Sequence, residues 1–107
     1  MVINQYEIYW TDLEPTKGAE MKKIRPCVVI SPDEMNHNID IVIIAPLTST
    51  SKNYPFRVKI KFEGKTGWIV LDQIRAIDKS RLVKGAGILE SKNVLCVKAV
   101  LQEMLVD

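Results

Sequence analysis

Arg25 heads the run Arg25-Pro-Cys-Val-Val-Ile-Ser31, and Thr48 lies in a second run, Pro46-Leu-Thr-Ser-Thr50. Each segment joins a β run of buried type to a polar end that suits a phosphate. A guanidinium grips phosphate through parallel N–H bonds, and threonine or serine hydroxyls donate to its oxygens. Glu20 and Asp72 add carboxylates, and Lys17, Lys22, Lys23 and Lys52 add a basic border. That inventory suits an anionic ligand built on a phosphodiester. The same residues also admit a plain structural use, with Arg25 bridging to Glu20 or Asp72. The sequence has no Ser-His-Asp set, no Cys–His nucleophile pair and no Gly-rich phosphate loop.

Metal chemistry has no support in the spacing. There is no Cys-x-x-Cys or Cys/His cluster, and His37 is the single histidine, set in the polar stretch Met35-Asn36-His37-Asn38. No cofactor motif is present. Cys27 lies in an apolar strand pattern and Cys96 in an apolar helix pattern, so both thiols are expected to be buried as small hydrophobes.

The 107 residues carry a formal charge of +2 and are 47% apolar, enough for one small domain over residues 1–107. So mild a charge does not by itself imply nucleic-acid binding; its distribution must decide. No apolar run reaches membrane-spanning length, and the first residues lack the regions of a signal peptide, so a cytoplasmic location is expected.

These candidate groups need a scaffold to position them. Residues 7–12 read as a first strand and 26–31 as a second, with Pro26 at its first position. Residues 13–24, with Pro15, Gly18 and three lysines, read as a basic loop. Residues 32–38 are a turn, 40–45 a third strand closed by Pro46, and 47–55 a second polar loop. Phe56, Val58, Ile60 and Phe62 alternate with Arg57, Lys59 and Lys61, the mark of a half-buried strand. Glu63-Gly64-Lys65 signals a hairpin turn into strand 66–71. Residues 74–77 form a further short strand and 84–87 read as loop. A helix over 91–106 is predicted, capped by Ser91 and carrying Val94, Val97, Leu101 and Met104 on one face. The fold class is mainly β with a C-terminal helix, a bent sheet or partly open barrel.

Hairpin register then brings the polar ends together. If strands 26–31 and 40–45 pair as a hairpin, Ser31 faces Asp40 and Arg25 faces Pro46. If Gly64 centres the next hairpin, Phe56 faces Asp72. Glu20, Arg25, Thr48 and Asp72 are then expected around one cleft, with Gln73 nearby and Lys17, Lys22, Lys23 and Lys52 at its fringe. The row Arg57, Lys59 and Lys61 either tracks a phosphate backbone or is a solvated strand face. Trp10 and Trp68 either stack on bases or belong to the core.

The segments 10–20, 25–31, 46–50, Gly67-Trp68 and 71–82 resemble, in order and spacing, the MazF/PemK family of toxins. The resemblance implies a small SH3-like β barrel of the CcdB/PemK type, assembled as a homodimer. It implies a toxin–antitoxin endoribonuclease that cuts single-stranded RNA at short sequences without metal, leaving a 2′,3′-cyclic phosphate and a 5′-hydroxyl. It implies a partly disordered cognate antitoxin of the MazE/PemI kind. By the same resemblance Arg25 and Thr48 match the catalytic pair. Glu20, Asp72 and Gln73 match catalytic or RNA-contacting positions, and Lys17, Gly18, Lys22, Lys23, Ser49, Lys52 and Phe56 match RNA-binding ones. Ala19 departs from the pattern, where serine is common. The general base stays unassigned, with Glu20 or Asp72 as candidates, because an arginine pKa above about 12 suits a base poorly.

Two other readings stand beside this one. A gyrase poison of the CcdB type shares the fold, but the ending Leu105-Val106-Asp107 lacks the tryptophan–glycine–isoleucine terminus of those toxins. A non-catalytic SH3-like module would bind RNA or peptide with the same basic loops.

Overall fold

The computed structural model describes residues 2–13 and 24–106. Seven strands form one curled sheet: β1 (Glu7–Asp12), β2 (Ile24–Val29), β3 (Ile41–Thr48), β4 (Arg57–Phe62), β5 (Lys65–Val70), β6 (Arg75–Asp78) and β7 (Leu82–Ile88). The short helix α1 (Asp33–Asn36) follows β2, and α2 (Ser91–Leu105) closes the chain. The order is β4-β5-β3-β2-β1-β7, with β6 also on β3. No helix among the described residues is long and apolar enough to cross a membrane.

Period-two alternation builds two cores, one on each side of the sheet. Val28, Ala45, Leu47, Val58, Ile60 and Ile69 point to one side, where Val97 of α2 seals them. Cys27, Val29, Val42, Ile44 and Ile77 point to the other. Arg25 shares the parity of Cys27 and Val29, Thr48 that of Val42 and Ile44, and Arg75 that of Ile77. All three polar residues therefore stand where the second core runs out.

Strand β3 has two partners along one edge. Residues 41–44 pair with β6, and Leu47 and Thr48 pair with β5. Pro46 was expected to close this strand, but the strand continues through it. Ala45 and Pro46 fall between the two ladders, so the missing N–H removes no bond on that side. Pro26 likewise lies inside β2 rather than at its start, and Cys27 is the first β2 residue paired with β3.

The β2–β3 register differs from expectation by two residues: Cys27, not Arg25, faces Pro46. The connection explains the shift. Ser31 and Asn36 are buried, the Ser31 hydroxyl donates to Asn36 Oδ1 (2.5 Å), and Asn36 Nδ2 donates back to the Ser31 carbonyl (2.8 Å). The Ile43 amide donates to Ser31 Oγ (3.0 Å). This knot ends β2 early and lengthens the turn. Continuing the observed register places Arg25 opposite Thr48.

The β4–β5 turn has Glu63 at φ 50° and Gly64 at φ 78°, a two-residue turn of the kind that matches strand twist. Phe62 faces Lys65 and Arg57 faces Val70, so the register is one residue away from the expected pairing of Phe56 with Asp72.

Residues 84–87 are strand, not loop. Gly85 and Gly87 gave that stretch a loop composition, yet it pairs with β1 through two register shifts, and Gly87 takes φ 126° at one of them. Tertiary pairing outweighs local propensity here. The helix starts at Ser91 as predicted and ends at Leu105, one residue short of 106, but its cap differs. Glu90, not Ser91, is the N-cap, and its carbonyl accepts from the Asn93 and Val94 amides. Val94, Val97 and Leu101 face the core with Val100, whereas Met104 is exposed.

Cys27 is fully buried as expected, but Cys96 is exposed on α2. Burial pushes the Cys27 thiol up to about 11. A thiol reagent at neutral pH is therefore expected to label one group in the native protein and a second only after denaturation. Rapid native labelling of both would contradict this packing.

Candidate active site

Arg25 and Thr48 line a cleft of about 430 Å³ together with Thr50, Arg57, Gln73 and Arg75. That volume falls within the range of ligand-sized sites, about 300–1,000 Å³. Strand parity and the change of partner along β3 explain the convergence. β2 brings Arg25 to one flank, β3 ends with Thr48, and β6 begins with Arg75 on the other flank. A second cleft of about 460 Å³ also has Arg25 and Thr48 in its wall, with Trp10, Ser49, Phe62 and Lys65. The pair thus belongs to the wall shared by two depressions. A chain crossing that wall would place one linkage against Arg25 and Thr48 and its flanking units in either cleft.

The Thr48 hydroxyl donates to the Thr50 carbonyl (3.1 Å) and accepts from the Thr50 amide (3.3 Å). The accepting bond fixes the oxygen, while the hydroxyl hydrogen can turn to an incoming acceptor. Arg25 is exposed and can reach the same acceptor. Three guanidinium groups, of Arg25, Arg57 and Arg75, border the cleft.

Asp72 is engaged elsewhere. Arg57 Nε donates to Asp72 Oδ1 (3.1 Å) and Nη2 to Oδ2 (3.1 Å), while Nη1 donates to Ser51 Oγ (2.9 Å). The Arg57 hydrogen bonds hold the Asp72 carboxyl below its usual range and raise the Arg57 guanidinium in turn. The expected ring of Glu20, Arg25, Thr48 and Asp72 is therefore met by Arg25 and Thr48, with Asp72 standing behind Arg57. Gln73 and Ser49 line the clefts. Lys52 is exposed, and Phe56 stacks on Tyr54 at 5.1 Å and 8° rather than lining either cleft. Glu20, Lys17, Gly18, Lys22 and Lys23 lie outside the described residues.

Arg57, Arg75 and Thr50 are cleft residues that the sequence did not single out for this place. Arg57 was grouped with Lys59 and Lys61 as a strand face, and it does share their side of β4. As the first strand residue it alone reaches the cleft. Arg75 could have been found from its spacing to Ile77, since both lie on one face of β6. Trp10 and Trp68 are both half-buried; Trp10 packs edge-on against Phe62 (5.8 Å) beside the second cleft. Among the described residues, no group of three His, Cys, Asp or Glu side chains is placed to hold a metal ion.

Residues 4–105 match the profile of the PemK-like, MazF-like toxins of type II toxin–antitoxin systems. The chain belongs to this family. It is 37% identical over 71 residues to the endoribonuclease toxin MazF of Escherichia coli K12, a match spanning 66% of this chain and 64% of that relative. The chain thus spans just under two thirds of that relative's length. It is 31% identical over 88 residues to the endoribonuclease EndoA of Bacillus subtilis, covering 77% of this chain and 76% of that protein. The crystal structure of MazF from Deinococcus radiodurans superposes with a TM-score of 0.82 at 27% identity, covering 100% of this chain and 99% of that one. A MazE–MazF crystal structure from the same organism gives 0.85 at 27% identity, covering 99% and 97%. The curled sheet with its C-terminal helix is therefore the PemK/MazF toxin fold, as the resemblance implied.

Proposed function

We propose that this chain, acting as one toxin domain over residues 1–107, is a sequence-specific endoribonuclease of a toxin–antitoxin system. The convergence of Arg25 and Thr48 from neighbouring strands in one arginine-bordered cleft carries the reading, and the endoribonuclease relatives support it. Single-stranded RNA is the substrate. The ribose 2′-oxygen attacks the adjacent phosphorus, the 5′-oxygen leaves, and the products are a 2′,3′-cyclic phosphate and a 5′-hydroxyl. Charge gathers on the non-bridging oxygens as the transition state forms. Arg25 stabilises it, and Thr48 releases its bond to the Thr50 carbonyl to donate to the same phosphate. Arg25 can also supply a proton toward the departing oxygen.

Asp72 makes a poor general base, because the Arg57 pairing lowers its proton affinity. Glu20 is the carboxylate left for that role. Lys17, Gly18, Lys22, Lys23, Ser49 and Lys52 supply substrate contacts. A homodimer, a cytoplasmic setting and a partly disordered MazE-like antitoxin complete the proposal. The antitoxin is supported by relatives crystallised as MazE–MazF complexes.

End-mapping of RNA incubated with the protein tests the reaction. Fragments with cyclic-phosphate and 5′-hydroxyl ends are expected, at equal rates with and without EDTA. Loss of cutting in EDTA that magnesium restores would refute the metal-free route. Intact RNA under conditions that permit binding would favour a binding module instead.

A further inference from the structure

We propose that Arg57 is a positioning residue that, through Asp72, fixes the 49–56 loop against the 71–73 turn and so sets which RNA sequences the cleft accepts. This rests on the ribonuclease reading above. The 49–56 loop carries Ser49 and Thr50 to the two clefts, and the Leu71–Gln73 turn carries Gln73 to the first. These are two walls of one opening. Arg57 and Asp72 join them by a bidentate pair, and the third Arg57 guanidinium nitrogen ties down Ser51. The guanidinium carbon also lies 5.1 Å from the Tyr54 ring centre and 6.0 Å from that of Phe56. Tyr54 and Phe56 are themselves stacked. One side chain thus gathers Ser51, Tyr54, Phe56 and Asp72 into a single unit.

Stability alone is a weak reason for such a pair. Both side chains are partly exposed, 18% for Arg57 and 30% for Asp72, and exposed ion pairs add little to folding. Planar two-point bonding instead fixes orientation, which a point charge does not. Apart from this unit, the loop is held to the sheet among the described residues by the two Thr48–Thr50 bonds at its start, by the Arg57 amide donating to the Tyr54 carbonyl (3.1 Å) at its end, and by a long bond from Trp68 Nε1 to Asn53 Oδ1 (3.4 Å). Without Arg57 the wall beside Thr50 loses its fixed distance from Gln73. A base entering between them is then selected less sharply.

The test is a cycle of Arg57→Ala, Asp72→Ala and the double variant on a randomised RNA pool, with kcat and KM measured at the preferred site. Each single variant is expected to flatten the ranking of cut sequences and to lower kcat/KM about tenfold, chiefly through KM. The double variant is expected to match the singles, because each residue acts through the other. Thermal midpoints should stay close to that of the parent. Unchanged cut-site ranking in the single variants would overturn the proposal. So would multiplying losses in the double variant, which would mean that each residue touches RNA independently. Failure of the parent protein to cut any RNA would instead overturn the ribonuclease reading.

Discussion

Arg25→Ala is expected to lower RNA cleavage about 10²–10³-fold, or about 2.7–4 kcal/mol of transition-state stabilisation, while leaving the fold intact. The guanidinium is exposed at the end of the second core, so among the described residues its removal opens no cavity and orphans no buried partner. Its neighbours Cys27 and Val29 hold β2 in place without it. The loss should fall on kcat, because the phosphate gains its extra charge only as the bond to the 2′-oxygen forms. Arg75 borders the same cleft, but its strand starts on the far side of β3, and it cannot substitute for a group opposite Thr48. Unaltered secondary structure by circular dichroism with near-parental cutting would remove Arg25 from the mechanism.

A single 2′-deoxy nucleotide immediately 5′ of the scissile phosphate is expected to abolish cutting at that bond and spare other sites on the same strand. The attacking atom is then absent, whereas the phosphate contacts of Arg25 and Thr48 are retained. The modified RNA should therefore still bind and should act as a competitive inhibitor of the unmodified one. Cutting at the modified bond would demand a water nucleophile and a 2′-hydroxyl-independent reaction. The assay reads chemistry apart from affinity, which a change in the protein seldom does cleanly.

Much of this site was legible before the fold was known, and the reasons are local. The apolar run along 26–31 and the alternation along 56–62 marked true strands, and the Gly64 turn marked a true hairpin. Arg25 and Thr48 could be brought together because both end apolar runs. What was illegible depended on contacts distant in sequence. The Ser31–Asn36 knot moved the β2–β3 register by two residues, and in doing so put Arg25 in line with Thr48 rather than beside it. The place of Asp72 depended on Arg57, a residue whose alternation with apolar neighbours suggested only a solvated face. Glycines at 85 and 87 disguised β7, since composition records turn propensity and not the partner strand that outweighs it. Cys96 followed the general apolar character of its helix but lies on the outer face of α2.

β3 is hydrogen-bonded along both edges, to β2 on one and to β6 and then β5 on the other. A strand so flanked exchanges its amides only when a large part of the molecule opens, while loops exchange by small local fluctuations. Thr48, proposed to bind the reacting phosphate, thus sits at the end of one of the last segments to loosen. Unfolding the β3 end of the site is therefore a costly way to silence it. An obstacle laid across the clefts from outside would silence the site without unfolding it, and lifting that obstacle would restore an intact site at once, with no refolding step in between.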